Sequence, residues 1–324
     1  MVKAIRVDDW GGPEVLKWVD VDQPEPGPGE ALIRHRAVGL NFIDVYFRTG
    51  LYKTPSMPFI PGNEGSGDVI AVGDGVTDLA PGDRVAYAAT PGSYSEERVI
   101  AADRLVKIPD GISYETAAAM MLKGMTAQYL LRRTYKVQPG DTILFHAAAG
   151  GVGLIACQWA KHLGATVIGT VGSEEKAELA RAHGATHTIN YRTEDFVART
   201  RELTGGEGVP VVYDSVGKDT YPGSLDCLRP LGVWALFGQS SGVVPPMDLG
   251  ILSQKGSLYV TRPTLFTYVA RRDDLVATAN ELFDVVKSGA VTIEINQTYP
   301  LENAEQAHRD LEGRKTTGAT IMTL

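Results

Sequence analysis

The sequence predicts an α/β protein of two domains, in which a doubly wound parallel sheet is joined to a second, mostly β domain. The chain has 324 residues, which suits two domains of about 150 residues each. Glycine- and proline-rich turns separate short β-branched segments in the first third, whereas strand-like and helix-like segments alternate from about Thr142 onward. The first pattern is typical of a turn-rich β domain, and the second is typical of βαβ units around a parallel sheet.

Turn-forming stretches divide the predicted β domain into short strands. They are GGP at Gly11, PEPGPGE from Pro24, TPSMPFIPG from Thr54 and PGDR from Pro81. Between them lie runs such as ALIRHRAVGL and GDVIAVG, whose β-branched residues favour strands.

The α/β segment begins with TILFHA, a predicted buried strand, and GVGLIACQWAKHL, a predicted helix that ends at Gly164. Residues 142–160 imitate a membrane span, but His146, Gln158 and the glycines favour a strand followed by a helix. Further strands are predicted at TVIGTV, HTINY, VPVVYDSVG and VWALFG. A helix is predicted at EEKAELARAH, with Ser173 as its N-cap and Gly184 at its end. Two more helices are predicted at TEDFVARTREL, with Thr193 as its cap, and at KDTYPGSLDCLRPLG, which would end at Gly232. After Pro263, DDLVATANELFDVVKSG and ENAEQAHRDLEG predict helices and GATIMTL a closing strand.

Charge and cysteine content argue against several classes of protein. Lys and Arg number 31 against 39 Asp and Glu, and the net charge of −8 argues against a nucleic-acid or membrane-surface protein, which needs a basic face. Cys157 and Cys227 allow one disulfide at most, which suits the cytoplasm. The N-terminal MVKAIRVDDW has no apolar stretch of the kind found in signal peptides.

A glycine-rich turn, HAAAGGVG, lies between the first predicted strand and helix of the α/β segment. A dinucleotide turn is usually G-x-G-x-x-G, and here Ala148 takes the first place. Gly150 allows the backbone to approach a pyrophosphate, Gly153 allows the helix to pack close to the strand, and the helix N-terminus offers free N–H groups. Residues 148–153 therefore predict a dinucleotide site that involves Ala148, Gly150, Gly151, Val152 and Gly153.

The end of the second parallel strand favours NADPH as the dinucleotide. An NAD site needs a carboxylate about 20 residues past the turn to bind the ribose 2′-OH, whereas this strand ends in Val171-Gly172-Ser173. Ser173 and Lys176 instead offer a hydroxyl and a cation to a 2′-phosphate. Glu174 and Glu175 leave NAD as an alternative if the strand extends a few residues further.

Seven segments carry a family resemblance: GGPEVLKW, VGLNFIDVYFRTGLY, PGNEGSGDV, PGDRVAY, FHAAAGGVGLIACQWAKHLGATVIGTVGSEEK, VVYDSVG and GSLYVTRP. Together they resemble the medium-chain dehydrogenase/reductase superfamily, and within it the bacterial NADPH:quinone oxidoreductase, or zeta-crystallin-like, branch. The resemblance implies a GroES-like catalytic domain at residues 1–122 and 264–324 and a Rossmann NADPH-binding domain at residues 123–263. It also implies that the acceptor binds in a cleft between the domains.

The resemblance also implies the loss of a catalytic zinc. Zinc-containing members use a cysteine, a histidine and a third thiol where this chain has Asn41, Asn63 and Lys123. Amides and an ammonium are poor zinc ligands, and residues 87–96 lack the cysteines of a structural zinc lobe, so we expect no metal. An acceptor that is already electrophilic is then required, and a quinone qualifies because its reduced form is a phenol with a pKa of about 10.

On the resemblance, Asn41, Asp44 and Tyr46 would lie near the nicotinamide and the acceptor. Tyr52 and Arg262 are further candidates for the acceptor pocket, where an arginine would stabilise a developing anion. Structural alternatives exist: Asn41 as a turn former, Asp44 as a helix cap, Tyr46 as a core residue and Arg262 as an ion-pair residue. The catalytic candidates are therefore Asn41, Tyr46, Tyr52 and Arg262, and Asn41, Asp44 and Arg262 are also expected at the cofactor.

The remaining cofactor contacts are expected at the carboxyl ends of the parallel strands, where ligands bind in such sheets. Thr126 is a candidate for the nicotinamide end, while Lys123 either contacts an anion or pairs with Glu64, the alternative we favour. His146 is expected to be a packed core residue. The resemblance places Ser173, Lys176, Tyr191 and Arg314 at the 2′-phosphate, and the strand-end loops place Gly172, Ser215, Gly217, Phe237, Gly238 and Ser240 at the cofactor, unless those loops are ordinary turns.

These expectations combine into one predicted function, the transfer of hydride from NADPH to a small quinone without zinc. Two alternatives remain open: an NADPH-dependent alkenal or enone reductase, and a non-catalytic protein that binds NADPH or nucleic acid. The resemblance alone implies a homodimer, in which VWALFG and the segment near SLYVTRP would pair across a twofold axis at the sheet edge.

Overall fold

The computed structural model describes residues 1–54 and 56–324. They form two compact units. The first consists of Met1–Met125, Val269–Lys287 and Ile293–Leu324, and the second consists of Thr126–Tyr268 and Ser288–Thr292. The chain thus passes from one unit to the other within a helix, between Met125 and Thr126.

The strands and helices of the described residues follow the alternation that the sequence predicts. The strands are β1 Val2–Arg6, β2 Lys17–Val21, β3 Glu30–Leu40, β4 Glu64–Val72, β5 Arg84–Ala88, β6 Glu97–Ala101, β7 Val106–Lys107, β8 Thr142–Phe145, β9 Thr166–Val171, β10 His187–Asn190, β11 Val209–Asp214, β12 Leu228–Leu236, β13 Tyr259–Thr261, β14 Ile295–Pro300 and β15 Ala319–Thr323. The helices are α1 Phe42–Arg48, α2 Tyr114–Tyr129, α3 Gly151–His162, α4 Glu174–Ala182, α5 Phe196–Leu203, α6 Gly223–Asp226, α7 Gly250–Gln254, α8 Leu265–Tyr268, α9 Arg272–Lys287 and α10 Ala304–Glu312.

The first unit is built around a mostly antiparallel sheet with the strand order β14-β15-β3-β4-β5-β7, while β6 also pairs with β3 and β1 pairs with β2. β3 is the central strand, because β15, β4 and β6 all pair with it. Its residues Ile33 and Val38 are fully buried, and they belong to two different core clusters. This sheet places the end of β3, the start of α1 and the start of β4 next to one another, which is where the candidate residues of this unit lie.

The second unit is a six-stranded parallel sheet with the order β10-β9-β8-β11-β12-β13. The order reverses between β8 and β11, and ligands of doubly wound sheets bind at such a switch point. Fully buried Leu144, Ile168, Val212 and Trp234 belong to the core of this unit. The structure confirms the predicted parallel α/β fold.

The apolar stretch 142–160 divides into β8 and α3, as predicted. Among residues 1–54 and 56–324, none of the helices combines the length and apolar character needed to span a membrane.

Three local predictions are wrong. Thr193 does not cap α5; the helix begins after Asp195, whose carboxylate accepts hydrogen bonds from the N–H groups of Val197 and Ala198. The helix predicted to end at Gly232 is only α6, because LRPLG belongs to β12, where Leu228 pairs with Val209 of β11. VWALFG is not an edge strand, since β12 lies between β11 and β13, so the SLYVTRP segment alone forms that edge.

Candidate active site

The glycine turn of the second unit joins β8 to α3, with Gly150 as the N-cap of the helix. A Cβ at Gly153 would lie 2.4 Å from the carbonyl oxygen of Ala147 and 2.6 Å from that of Ala148, so the turn requires glycine there. At Gly150 such a Cβ would lie 3.1 Å from the Ala147 oxygen, a looser contact than the two at Gly153. The tight packing is therefore at Gly153, whereas Gly150 leaves the helix N-terminus, with its free N–H groups, uncovered by a side chain.

Ala148, which stands in the first glycine position, is fully buried and donates its N–H to Thr170 O at 3.0 Å. A Cβ at Gly169, on the neighbouring strand β9, would lie 2.6 Å from the Ala148 Cβ. The alanine therefore fits because the adjacent strand carries a glycine opposite it. This pairing was not predicted from the sequence, although a glycine inside a strand marks a close approach.

The end of β9 brings together the residues predicted for a 2′-phosphate. β9 ends at Val171, and the Ser173 hydroxyl caps α4 by accepting the Lys176 N–H at 3.3 Å. The Tyr191 hydroxyl lies against Gly172, where a Cβ would be 2.5 Å from it, and the Tyr191 side chain is partly exposed. Gly172, Ser173, Lys176 and Tyr191 thus share one edge of the sheet.

Glu174, the carboxylate that would favour NAD, lies inside α4 rather than at the end of β9. Its carboxylate accepts a hydrogen bond from the Arg181 guanidinium at 2.6 Å. Both side chains are exposed, so the pair adds little stability, but it gives the carboxylate a partner within the helix.

The loops after β11 and β12 hold each other in place. Ser240 donates its N–H to Ser215 O at 3.0 Å, and the N–H of Phe237 reaches Asp214 O at 2.8 Å. A Cβ at Gly238 would lie 2.7 Å from Ser215 O, so the loops pack backbone against backbone. These residues, predicted as cofactor contacts, form one connected surface at the carboxyl ends of two parallel strands.

Asp214, at the end of β11, fixes both loops and was not predicted from the sequence. Its buried carboxylate accepts hydrogen bonds from the backbone N–H groups of Val216 and Gly217 and from the side chains of Thr220, Ser224 and Trp234. Burial opposes the charged form, but the hydrogen-bond donors around the carboxylate outweigh it and hold the pKa of Asp214 below its usual value. A buried carboxylate with five donors is a rigid support for the strand ends.

His146 lies directly after β8 and belongs to the same network. Nε2 is 3.1 Å from the Ser224 hydroxyl, and Nδ1 is 2.9 Å from the Thr170 hydroxyl. Because Ser224 donates to Asp214, it accepts from His146, so the hydrogen-bond pattern assigns the proton to Nε2. Burial lowers the pKa of His146, which therefore stays neutral and structural, as expected from the sequence.

The candidates of the first unit form a buried polar network at the start of α1. The Asp44 carboxylate accepts the Asn41 backbone N–H at 2.9 Å, which caps the helix. It also accepts the Asn63 side-chain amide at 2.8 Å and the Tyr94 hydroxyl at 3.1 Å. Burial raises the pKa of Asp44 to about 6, although the three donors and Lys123 act in the opposite direction.

Glu64, at the start of β4, connects the network to α2. Its Oε2 accepts the Asn41 amide at 2.8 Å and the Lys123 ammonium at 3.0 Å, and its Oε1 accepts the Leu122 N–H at 2.7 Å. The structure thus contains the Lys123–Glu64 pair that the sequence favoured. Gly39 makes room for it, since a Cβ there would lie 2.3 Å from the Glu64 carboxylate.

The same network continues away from Asn41. The Tyr94 hydroxyl also contacts His308 Nε2 at 3.2 Å, and His308 Nδ1 lies 3.1 Å from the fully buried Arg48. Arg48 makes a two-pronged ion pair with Glu312. Burial, together with Arg48, lowers the pKa of His308 to about 3, so the imidazole stays neutral. Neither Tyr94 nor His308 was singled out from the sequence.

The remaining predicted residues lie on other parts of the two units. Tyr46, within α1, and Tyr52, which follows the helix, pack edge to face with ring centroids 5.2 Å apart. Thr126 is buried in α2. Arg262, directly after β13, is exposed, and Arg314, with a φ of 58°, is an exposed residue of the first unit after α10.

Comparison with known proteins gives consistent matches along the chain. The family model described as the alcohol dehydrogenase GroES-like domain matches residues 27–110, and the one described as zinc-binding dehydrogenase matches residues 151–280. The chain is 57% identical to a quinone oxidoreductase of Pseudomonas aeruginosa over 99% of each chain, and 47% identical to a 2-haloacrylate reductase of a Burkholderia species over 99% of each chain. It is also similar to the crystal structure of Escherichia coli quinone oxidoreductase complexed with NADPH, with 50% identity, a TM-score of 0.98 and coverage of 99% of this chain and 100% of that one.

The residues at the expected zinc positions do not fit a zinc ion. Asn41 and Lys123 donate hydrogen bonds to Glu64, and Asn63 donates to Asp44, and neutral amides and an ammonium are poor ligands for zinc. Among residues 1–54 and 56–324, there is no group of three or more His, Cys, Asp or Glu side chains that could hold a metal ion.

Proposed function

The chain belongs to the medium-chain dehydrogenase/reductase family, and on that premise we propose that it is an NADPH-dependent quinone oxidoreductase. The observation that carries this proposal is the combination of a dinucleotide turn in the second unit with a candidate acceptor site built from amides, acids and an ammonium in the first. Relatives along the full length of the chain are named quinone oxidoreductases, and one similar structure was determined as a complex with NADPH.

The second unit provides a cradle that fits the diphosphate of NADPH. The N-terminus of α3 offers N–H groups at Gly151, Val152 and Gly153, and Gly150 carries no side chain in front of them. The loops that contain Ser215 and Ser240 lie at the neighbouring strand ends, where the ribose and the carboxamide would bind. When bound, NADPH supplies the hydride.

The residues around Ser173 support NADPH rather than NADH. β9 ends without a carboxylate, and Glu174 is held by Arg181. Ser173 at the N-terminus of α4, the Lys176 ammonium and the Tyr191 hydroxyl would bind a 2′-phosphate, which carries about −1.5 to −2 charges. We propose Arg314 as a further contact.

The acceptor side rests on Asn41, Tyr46, Tyr52 and Arg262. A side-chain amide, two hydroxyls and a guanidinium can orient a carbonyl compound and stabilise negative charge on its oxygen. A quinone suits this set, because it needs no strong acid when it becomes a hydroquinonate. Solvent or the Tyr46 hydroxyl then delivers the proton.

Steady-state kinetics with a panel of acceptors tests the function. We expect turnover of 1,4-benzoquinone with NADPH, a lower kcat/KM with NADH, and weaker turnover of 2-alkenals. An equal or higher kcat/KM with NADH would contradict the cofactor assignment. Tight NADPH binding without turnover of any acceptor would indicate a binding protein instead.

A second candidate function is the reduction of activated alkenes. The 47% identity to a 2-haloacrylate reductase over nearly the whole chain favours it. An enone and a quinone share an electrophilic carbon conjugated to a carbonyl, so the same site could serve both. A kcat/KM for 2-alkenals or 2-haloacrylates above that for 1,4-benzoquinone would make this the main activity.

We also propose a cytoplasmic location and a homodimer. Cys157 and Cys227 are free and buried in the structure, in keeping with a reducing compartment. The edge strand β13 exposes Tyr259 and Val260, and an exposed apolar edge is a surface that a second copy could cover.

A further inference from the structure

Lys123 is a buried cation whose hydrogen-bonding capacity is only partly used. It lies in α2, its side chain is 6% exposed, and its ammonium donates to Glu64 Oε2 at 3.0 Å. Within residues 1–54 and 56–324, this is the one hydrogen bond that Nζ makes. An ammonium has three N–H donors, so two remain without an acceptor.

Folding alone does not account for this arrangement. A buried charge is costly to remove from water, and a buried ion pair is weak evidence of stabilisation unless its remaining donors are satisfied. Glu64 would be well satisfied without the lysine, because it already accepts hydrogen bonds from Leu122 and Asn41. It is therefore the lysine that lacks hydrogen-bond acceptors, and an anion or a carbonyl oxygen would provide one.

The surroundings hold the ammonium in a fixed position. Glu64 is anchored by the Leu122 backbone N–H, the residue directly before Lys123, and its carboxylate fills the space that Gly39 leaves open. Asn41 binds the same Glu64 oxygen as Lys123, so the amide and the ammonium converge on one atom. The N–H groups that remain on Lys123 are therefore close to Asn41, a residue of the candidate acceptor site.

We propose that Lys123 is a catalytic residue that binds the carbonyl oxygen of the acceptor and stabilises the negative charge that develops there. This inference rests on the proposed function. Hydride from NADPH brings one hydrogen and two electrons to the quinone, which becomes a hydroquinonate, and NADP⁺ is left. A proton from solvent or from the Tyr46 hydroxyl then gives the hydroquinone. Lys123 supplies a hydrogen bond and positive charge, which is the electrostatic role of an oxyanion donor.

The experiment compares Lys123→Met with Lys107→Met in the full-length protein. Both changes replace one lysine of an ion pair in the first unit, but Lys107 pairs with Asp83 at an exposed position. We expect Lys123→Met to lower kcat for 1,4-benzoquinone by about 100-fold, the scale of losing one oxyanion donor. KM and the Kd for NADPH should change by less than about threefold, and Lys107→Met should match the wild type.

The dependence of kcat on the reduction potential of the quinone distinguishes the two roles, because the loss of a purely structural ion pair would not change it. Across substituted quinones of different reduction potential, Lys123→Met should show a steeper slope of log kcat, because the acceptor must then carry the charge alone. Glu64→Gln breaks the same ion pair but keeps the cation, so it should lose less activity than Lys123→Met and keep the wild-type slope.

The outcomes separate the possibilities. Equal losses in Glu64→Gln and Lys123→Met with unchanged slopes would overturn the inference and leave a structural pair. If thermal unfolding shows that Lys123→Met does not fold, the double variant Lys123→Met/Glu64→Gln, which buries no unpaired charge, gives the same comparison of kcat and slope. Wild-type protein that reduces no quinone would overturn the proposed function itself, whereas an active wild type with a fully active Lys123→Met would overturn only the role of Lys123.

Discussion

Several residues of this chain fit into tightly packed positions because a residue far away in the sequence has a complementary size or charge. Ala148 occupies a position that is usually glycine in dinucleotide turns, and Gly169 on the neighbouring strand carries no side chain against it. Gly39 and Glu64 show the same relation between a bare backbone and a carboxylate. In each pair, the missing side chain of the glycine leaves the space that the side chain of its partner fills.

The Ala148–Gly169 exchange predicts a compensating pair of substitutions. Gly169→Ala should destabilise the protein by about 1–3 kcal/mol, the usual cost of overpacking a core, because its Cβ would lie 2.6 Å from that of Ala148. Adding Ala148→Gly should restore most of the loss. Urea unfolding of the two single variants and the double variant measures this, and additive losses in the double variant would contradict the pairing.

Asp44 predicts a pH dependence of stability. Burial raises its pKa from 3.8 to about 6, so the folded protein binds this proton more tightly than the unfolded chain does. The contribution of Asp44 therefore favours folding below about pH 4 and is lost as the pH rises through about 6. The shift corresponds to roughly 3 kcal/mol.

Denaturant unfolding of wild type and Asp44→Asn between about pH 4 and pH 7 checks this sign. The variant should gain stability relative to wild type as the pH rises, on top of a constant offset from its altered hydrogen bonds. A difference in unfolding free energy that stays constant would show that the pKa of Asp44 is not shifted, and a change in the other direction would show that it is lowered; either result contradicts the prediction.

At the scale of elements, the beginnings and ends of helices depend on which side chain reaches the first free N–H groups. Thr193 and Asp195 both precede α5 and both are residue types that cap helices. The sequence could not decide which of the two caps α5, because moving the start of the helix by two residues leaves its apolar face almost unchanged. The structure assigns the cap to Asp195, whose Oδ1 accepts the Val197 N–H at 2.8 Å.

Asp195→Ala should therefore cost about 1 kcal/mol of stability, the typical loss of an N-cap. Thr193→Ala is the matched control and should change the unfolding free energy by less than about 0.5 kcal/mol, as for an ordinary surface position. Thermal or urea unfolding compares the two variants. A larger loss of unfolding free energy for Thr193→Ala would show that Thr193 is the cap.

At the scale of the whole molecule, the open edge of the parallel sheet bears on assembly. β13 is the edge strand, with Tyr259 61% and Val260 37% exposed. Edge strands of this kind pair with other chains unless charge or a covering element protects them. We expect two copies to pair through β13 across a twofold axis.

Sedimentation velocity tests the assembly. The wild type should sediment with twice the chain mass of 34.8 kDa. Val260→Asp should shift the equilibrium toward single chains by placing a carboxylate on the edge, while Val243→Asp, at another exposed valine of the second unit, should leave the dimer intact. A single-chain mass for the wild type would refute the dimer.

The sequence by itself determined the parallel α/β sheet, the position of the dinucleotide turn and most helix and strand positions, because periodicity, glycine placement and capping residues act over a few neighbouring positions. Only the tertiary structure decided how Glu64 joins Asn41 and Lys123, how Asp214 holds two loops, and which strand forms the edge. The partners in these contacts are far apart in the chain, as with Lys123 and Glu64, which are 59 residues apart. Local patterns carry no information about which distant groups meet, since folding of the whole sheet brings them together.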